Sequence, residues 1–432
     1  MPTKAFQVEQ HGLDPVPRPE RTKTWWDLFV IQAGVNITLP SFLMGGLLVP
    51  GLSWADALTA LALGYLAVSA LMVLSGHIGV DHGIPAAVAN RFALGYPRGT
   101  WFSSLCIVLS LVGWFAVNAE LAGLAVNEIL AATTGFSVPM LVIVLVGLSN
   151  GLPAVLGFES IRWLSTVSVP ALLALQVWLL QVVLARHDFS ALIHYRPTGE
   201  IAFATGVDWT LASLIVGAFI ASDFSRYLRS RRHNWAGTLA GVLPASVFLG
   251  VVGVLAKLAT GDWNPVNAVQ ALGLGLPALA IIIFATWTTN DTNVYSAGLA
   301  LTSLVPRLGR WQNTLWVTLA GTALAALRIT EHFATFLSLL HYFFVPLVGV
   351  LVCDYFLVRR GALALADVYR HRGRFYYWRG MNRAALVALA TGVLVAVLTP
   401  AEFMASLTSL VASAAAYYLV TRLFGPSPIV QR

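Results

Sequence analysis

The densest run of potential chemistry in this 432-residue sequence is FATWTTNDTNVYSAGLAL, which begins at Phe284. Ala285, Thr288, Thr289 and Thr292 follow i, i+3, i+4, i+7 spacing, so on a helix two hydroxyls share a face with small neighbours that allow close backbone approach. A hard cation such as sodium is held by oxygens of this kind. Backbone carbonyls freed by an interrupted helix elsewhere, at Gly34, Ile37 or Thr38, complete such a shell. The same threonine pair also arises when each hydroxyl simply bonds the carbonyl one turn earlier. A second constellation, LVGWFAVNAELAG, puts Trp114 and Asn118 one turn apart on one face. An indole stacks flat heteroaromatic rings, and a carboxamide reads their N–H and C=O edges. Trp and Asn in an apolar helix also serve packing and interhelical hydrogen bonding.

The elements that carry these residues are set by composition. The chain is 58% hydrophobic and 10% charged, far from the roughly 25% charged content of ordinary soluble domains. A water-soluble fold is excluded. Lipid offers backbone groups no partners, and long apolar runs without strand alternation select helices over a barrel. About 20 apolar residues cross the hydrocarbon core. On that measure the sequence predicts twelve spans, near 26–50, 55–79, 100–130, 138–157, 162–185, 208–228, 236–260, 272–304, 312–327, 331–358, 382–399 and 402–424. Loop chemistry marks several boundaries: Pro50-Gly51 before Ser53, Gly135 to Pro139, Gly157 to Arg162, and Gly261 to Pro265. The polar residues 1–25 carry no signal-peptide pattern and read as a tail ahead of the first span. Residues 425–432 read as a second tail.

Charge gives an orientation. With the N-terminus in the cytoplasm, 22 of the 26 lysines and arginines fall on the cytoplasmic side, and only Arg186, Arg196 and Arg328, with Lys257 near a span end, fall outside. The positive-inside rule then predicts a multi-pass protein of a bacterial-type inner membrane, with an even span count and both termini cytoplasmic. The net charge of +7 is thereby a topology signal. Arginines scattered over alternating short loops form no stripe for nucleic acid, so no nucleic-acid partner is expected, and no protein partner is inferable.

Two spans carry features a lipid-facing helix avoids. The first has Gly34, Asn36, Thr38 and Pro40 at its middle, where Pro40 removes an amide donor and clashes with the preceding turn. The sixth has Ser213, Gly217, Ser222 and Asp223. Each opens a block of five spans, 26–185 and 208–358, and an odd number of helices gives the blocks opposite orientation. Spans 11 and 12, within 382–424, follow them. Inverted repeats with broken first helices point to a binding site at the midplane. Glu120, Asp223, Asp291, Asp354 and His341 also lie in or near spans, where an ionisable group is a functional candidate by default. Asp223 and Asp291 lie towards the cytoplasmic halves near Arg226 and Arg307, where structural pairing or gating is expected, and Glu128 and Lys257 are expected to be interfacial. Cys106 and Cys353 form no CxxC motif. HExxH, GxSxG and phosphate-loop motifs are absent, so no enzyme is expected.

Taken together, WWDLFVIQAGVN, GLLVPGLSW, GVDHGIPAAVANRFALGYPRG, GWFAVN, SDFSRY and WTTND resemble the nucleobase:cation symporter-1 family of purine and cytosine permease-like transporters, over nearly the whole chain. The resemblance implies an all-α, leucine-transporter-type fold of 5+5 inverted repeats with helices 1 and 6 broken, spans 1, 2, 6 and 7 moving against spans 3, 4, 8 and 9. It implies a sodium site from the backbone oxygens of Gly34 and Ile37 or Thr38, the carbonyl of Ala285 and the hydroxyls of Thr288 and Thr289. It implies a substrate site from Trp114, Asn118, Asn36, Ala212, Ser213 and Leu214. Leu214 stands where relatives carry an aromatic residue, and Asn118 and Ala285 depart from the cytosine permeases. The expected substrate is a small planar heterocycle: cytosine, another pyrimidine, a purine, or a hydantoin or allantoin. The alternative is proton-coupled uptake of a vitamin precursor such as a hydroxymethylpyrimidine or a pyridoxine-like ring.

Overall fold

The structure, a computed structural model, describes residues 13–423 except Gly157, Pro306, His371 and Arg372, and leaves out the side chains of residues 152–169, Thr288, Ser303 and Arg310. Lys4, the Gly157 to Arg162 boundary, Arg372, Arg432 and the tail 425–432 thus lie outside the described residues wholly or by their side chains. Among those described, the chain is helical and forms no strand, only isolated bridges such as Lys23 with Leu228.

A helix stands at each place the hydropathy marks. Span 1 is Trp25–Asn36 followed by Leu39–Leu48, span 2 Trp54–His82, span 3 Arg98–Thr134, span 4 Pro139–Leu156, span 5 Phe158–Arg186 and span 6 Phe203–Phe219 with Ala221–Ser225. Span 7 is Arg231–Thr260, span 8 Gly275–Leu304, span 9 Arg310–Ala326, span 10 Phe333–Cys353, span 11 Arg383–Leu398 and span 12 Ala405–Leu423. Among the described residues, four are long and apolar enough by themselves to cross a membrane: spans 2, 3 and 7, and Ile329–Val358, which contains span 10. The two halves of span 1 form a fifth such unit, bent by 59°.

Local chemistry fixes the ends. The Ser53 hydroxyl accepts the Asp56 amide at the start of span 2. Spans 3 and 7 stop at Gly135 and Gly261, whose φ of 77° and 76° is the left-handed closure that glycine adopts without steric cost. Helices also occur where loops were expected: Ala86–Leu94, Phe189–Ile193 and Pro265–Ala271. Their apolar positions are too few for a hydropathy window, and tertiary contacts hold them. The Ala86 amide donates to Asp223 Oδ1 at 2.7 Å, satisfying one of the orphan donors of that helix start.

Small residues set the packing. Span 1 lies against span 7, with Gly45 close on the Gly250 carbonyl, and span 2 lies against span 6, with Gly64 on Thr210. Span 3 packs on spans 4, 8 and 9, and span 4 on span 9 through Gly147 and Gly151 facing Thr322 and Thr318. Span 10 lies on span 6, joined by the Trp209 indole donating to Ser338 Oγ at 3.0 Å. Asp208 in span 6 accepts the Ala405 and Ser406 amides at 2.8 and 3.0 Å and so caps span 12. The Tyr417 hydroxyl of span 12 donates to Asp354 at 2.7 Å, and Arg359 pairs with the same carboxylate at 2.6 Å.

Candidate functional site

Span 1 is interrupted at Ile37 and Thr38. The Ile37 amide bonds the Ala33 carbonyl, the Thr38 amide turns to Asn36, and the Ser41 amide bonds Thr38. The carbonyls of Gly34 and Ile37 thereby lose the donors a continuous helix gives them, and among the described residues none replaces them. Pro40, with no amide hydrogen, supplies none either. Span 6 is interrupted at Ile220, whose φ and ψ of −103° and 9° are not helical.

The half-helix Leu39–Leu48 touches spans 3, 6 and 8, the other elements that carry the expected site residues. Asn36 is buried; its Nδ2 donates to the Gln32 carbonyl at 2.7 Å, and its Oδ1 accepts from Ser246 of span 7 at 3.4 Å. In span 8 the Thr289 hydroxyl donates to the Ala285 carbonyl at 3.0 Å. That is the back-bond of membrane-helix threonines, and it leaves the hydroxyl lone pairs unengaged by the bond. The Thr288 side chain lies outside the described residues.

In span 3, Asn118 Nδ2 donates to the Trp114 carbonyl at 2.8 Å, while its buried Oδ1 has no donor among the described residues. An acceptor buried without a donor is costly unless a ligand supplies one. The Trp114 ring is 8% exposed, and its aromatic neighbours among the described residues come from span 10. Phe336 meets it edge-on at 5.1 Å between centroids, and Phe333 does so at 6.0 Å and also stacks parallel to Trp263 at 6.3 Å. The Phe336 ring fits only because Gly113 has no side chain. In span 6, Ala212 is fully buried, Ser213 Oγ donates to the Thr210 carbonyl at 2.7 Å, and Leu214 is half-buried. Phe333, Phe336 and Trp263 were not singled out in the sequence. The i, i+3 phenylalanines at the start of span 10 are the signal that marks them.

The leftover ionisable groups are accounted for differently from expectation. Glu120 anchors the turn before span 10, accepting from the Thr330 amide at 2.9 Å and hydroxyl at 2.5 Å, with Arg328 at 3.9 Å. Asp223 caps Ala86–Leu94 as described above. Asp291 is wholly buried, and among the described residues neither of its oxygens has a hydrogen-bond partner. Its expected pairing near Arg307 is therefore not formed: the carboxylate sits seven residues inside the helix relative to Gly298, which lies against Thr314 of span 9, and faces the packed interior. The Glu128 carboxylate accepts from Gln270 at 2.5 Å, and Lys257 Nζ donates to the Gly261 carbonyl at 2.6 Å at the end of span 7.

Paired packing of spans 1, 2, 6 and 7 beside spans 3, 4, 8 and 9, with a discontinuous helix at the junction, defines a membrane transporter of the leucine-transporter type. The fold matches the solved inward-facing conformation of Mhp1 with a TM-score of 0.88 and 25% identity, covering 97% of this chain and 96% of that one. A Na+-coupled sialic acid symporter, at TM-score 0.64 and 14% identity over 96% of this chain and 93% of that one, shares the fold alone. The chain belongs to the nucleobase:cation symporter-1 family: the sequence model for permeases for cytosine/purines, uracil, thiamine and allantoin matches residues 15–421. Among its relatives, the hydantoin permease of Microbacterium maritypicum is 28% identical over 89% of this chain and 83% of its own. The cytosine permease of Escherichia coli K12 is 28% identical over 88% and 87%. These relatives are permeases, and the protein is a transporter, not an enzyme.

Proposed function

We propose that this protein imports a small planar heterocycle of the nucleobase or hydantoin class by sodium symport, through alternating access. The observation that carries the reading is the pair of unengaged carbonyls at Gly34 and Ile37, on a break whose second half-helix touches span 8. Sodium held there by these carbonyls, with Thr38, the Ala285 carbonyl and the hydroxyls of Thr288 and Thr289, ties span 1 to span 8. It favours whichever state brings the two together, and coupling follows if that state is also the one that binds substrate. The substrate ring stacks on Trp114 while the free Oδ1 of Asn118 accepts a ring N–H. Asn36, Ala212, Ser213 and Leu214 form the opposing wall. With Leu214 in place of an aromatic ring, the stacking is one-sided, on Trp114.

The repeats then run 26–185 and 208–358, with the pair 382–424 appended. The arginine and lysine distribution supports placement in a bacterial-type inner membrane with both termini cytoplasmic. Uptake of radiolabelled hydantoin and cytosine, competed by a panel of nucleobases, allantoin and pyrimidine vitamin precursors with and without sodium, tests the reading. Saturable uptake stimulated by sodium is expected; uptake indifferent to sodium overturns the coupling, and no competition by any planar ring overturns the substrate class.

A second reading, proton coupling, is favoured by Asp291, a buried carboxylate without a partner. An ionised group there is unfavourable, and a bound proton removes the charge. Uptake driven by a pH gradient in sodium-free vesicles, and lost in Asp291→Asn, distinguishes it from sodium coupling.

A further inference from the structure

A group of arginines away from the transport site gathers around one cavity of about 330 Å³, lined by Arg18, Arg21, Val80, Asp81, Arg229, Ser230 and Arg231. Asp81 is the single acid of the lining, and it is already matched. Arg231 grips it through two bonds, Nε at 2.9 Å and Nη2 at 2.5 Å, and the Tyr355 hydroxyl donates to it at 2.5 Å. The other guanidinium contacts are to neutral carbonyls. Arg21 donates to Val16 at 2.9 Å and to Val80 and Asp81 main-chain oxygens at 2.9 and 3.2 Å, and Arg229 donates to Thr22 at 2.8 Å. Among the described residues Arg18, Arg21 and Arg229 thus form no ion pair, and the one acid of the lining, Asp81, is bonded to Arg231. Burial, and after it the neighbouring Arg18 charge, lower the Arg21 guanidinium from its ordinary value against the opposing pull of Asp81.

Two further features say what the missing anion is attached to. Trp25, Trp26 and Trp235 are exposed within one turn of the starts of spans 1 and 7, as aromatic residues are at headgroup level. Spans 2 and 7, which bring Asp81 and Arg231 to the cavity, also bound an apolar groove of about 530 Å³ lined by Leu63, Leu66, Leu243, Pro244 and Val247 among others. Leu66 precedes Asp81 by fifteen residues and Leu243 follows Arg231 by twelve, which at 1.5 Å per residue is about 20 Å along each helix. That is close to the length of an extended acyl chain.

We propose that an anionic phospholipid binds along the seam of spans 2 and 7, its phosphate in the cavity of Arg18, Arg21 and Arg229 and one acyl chain in the groove at Leu66 and Leu243. A free phosphate shares the headgroup chemistry but leaves the groove unused. The site is separate from the transport reading and stands without it.

The test is native mass spectrometry of the purified full chain titrated with phosphatidylglycerol, phosphatidylcholine or inorganic phosphate. Wild-type protein is expected to retain phosphatidylglycerol in preference to phosphatidylcholine. Arg18→Gln with Arg229→Gln should weaken that retention roughly 30-fold, the effect of removing two charges from an anionic contact, and the corresponding lysine pair should restore most of it. Leu66→Trp, which blocks the groove, should weaken retention while leaving any response to phosphate intact. Unchanged melting in phosphatidylcholine shows that the variants are folded. Equal retention by the glutamine pair and wild type overturns the site. Phosphate binding that phosphatidylglycerol does not exceed, or indifference to Leu66→Trp, overturns the lipid as its occupant.

Discussion

Phe336 rests its ring on Gly113 and meets the neighbouring Trp114 edge-on, at 5.1 Å between centroids and 79° between planes. The start of span 10 is thus keyed into span 3 at the residue proposed to stack the substrate. A side chain at Gly113 collides with the Phe336 ring and so reaches that aromatic contact with both aromatic residues left in place. Gly113→Val should force Phe336 from its seat and lower stability by about 1–3 kcal/mol, the usual result of overpacking. Phe336→Ala made in the same background should recover part of that loss. Denaturation of the two single variants and the double variant gives the coupling energy, and strict additivity would show that the two positions do not interact.

Trp114→Ala removes the proposed stacking surface. Aromatic stacking on a base is worth about 1–3 kcal/mol by alanine substitution, so affinity should fall roughly 5- to 150-fold. Ligand-induced thermal stabilisation measures it. Retained affinity would mean that the ring lies elsewhere.

Thr288→Ala combined with Thr289→Ala removes two hydroxyl ligands from the proposed sodium site and leaves the Ala285 carbonyl in place. Sodium stimulation of uptake should disappear while the helix persists, because alanine is the better helix former. A sodium titration of initial rates checks it, and wild-type sodium dependence in the double variant rules the site out.

Glu120→Ala leaves the Thr330 amide and hydroxyl without their acceptor in a fully buried position. The loss should be about 1–3 kcal/mol, seen as a lower melting temperature. It should also appear as faster hydrogen exchange at the turn Ile329–His332. If exchange there stays slow, the carboxylate is not what holds the turn.

Much of the fold is legible in the chain because helices in lipid announce themselves by apolar length, and because Ser53, Gly135 and Gly261 end or begin helices through chemistry local to a few residues. The interruption of span 1 is legible for the same reason, since Gly34 and Pro40 act on their own backbone. Trp114 and Asn118 share a face by spacing alone, and the amide bonds the carbonyl one turn back. What could not be read depends on partners far away in sequence. Glu120 meets Thr330 across 210 residues and Asp208 meets Ala405 across 197, and periodicity reports which side a residue faces but not which helix it faces. Ala86–Leu94 escaped for a related reason. Its first amide is satisfied by Asp223, a residue 137 positions on, so its stability is borrowed from the tertiary structure.

The cap that Asp208 places on span 12 bears on how much of the chain is dispensable. Its two bonds are to the main-chain amides of Ala405 and Ser406, which no side-chain substitution in span 12 can delete. Truncation ahead of residue 382 would strand this carboxylate in a buried position and take the Tyr417 donor from Asp354 as well. A ten-helix minimal carrier cut from this chain would hold Asp208 as an unsatisfied anion in its interior and leave Asp354 with Arg359 but without the Tyr417 donor. The final helix pair is thus a structural dependency of spans 6 and 10, and the chain is not divisible there.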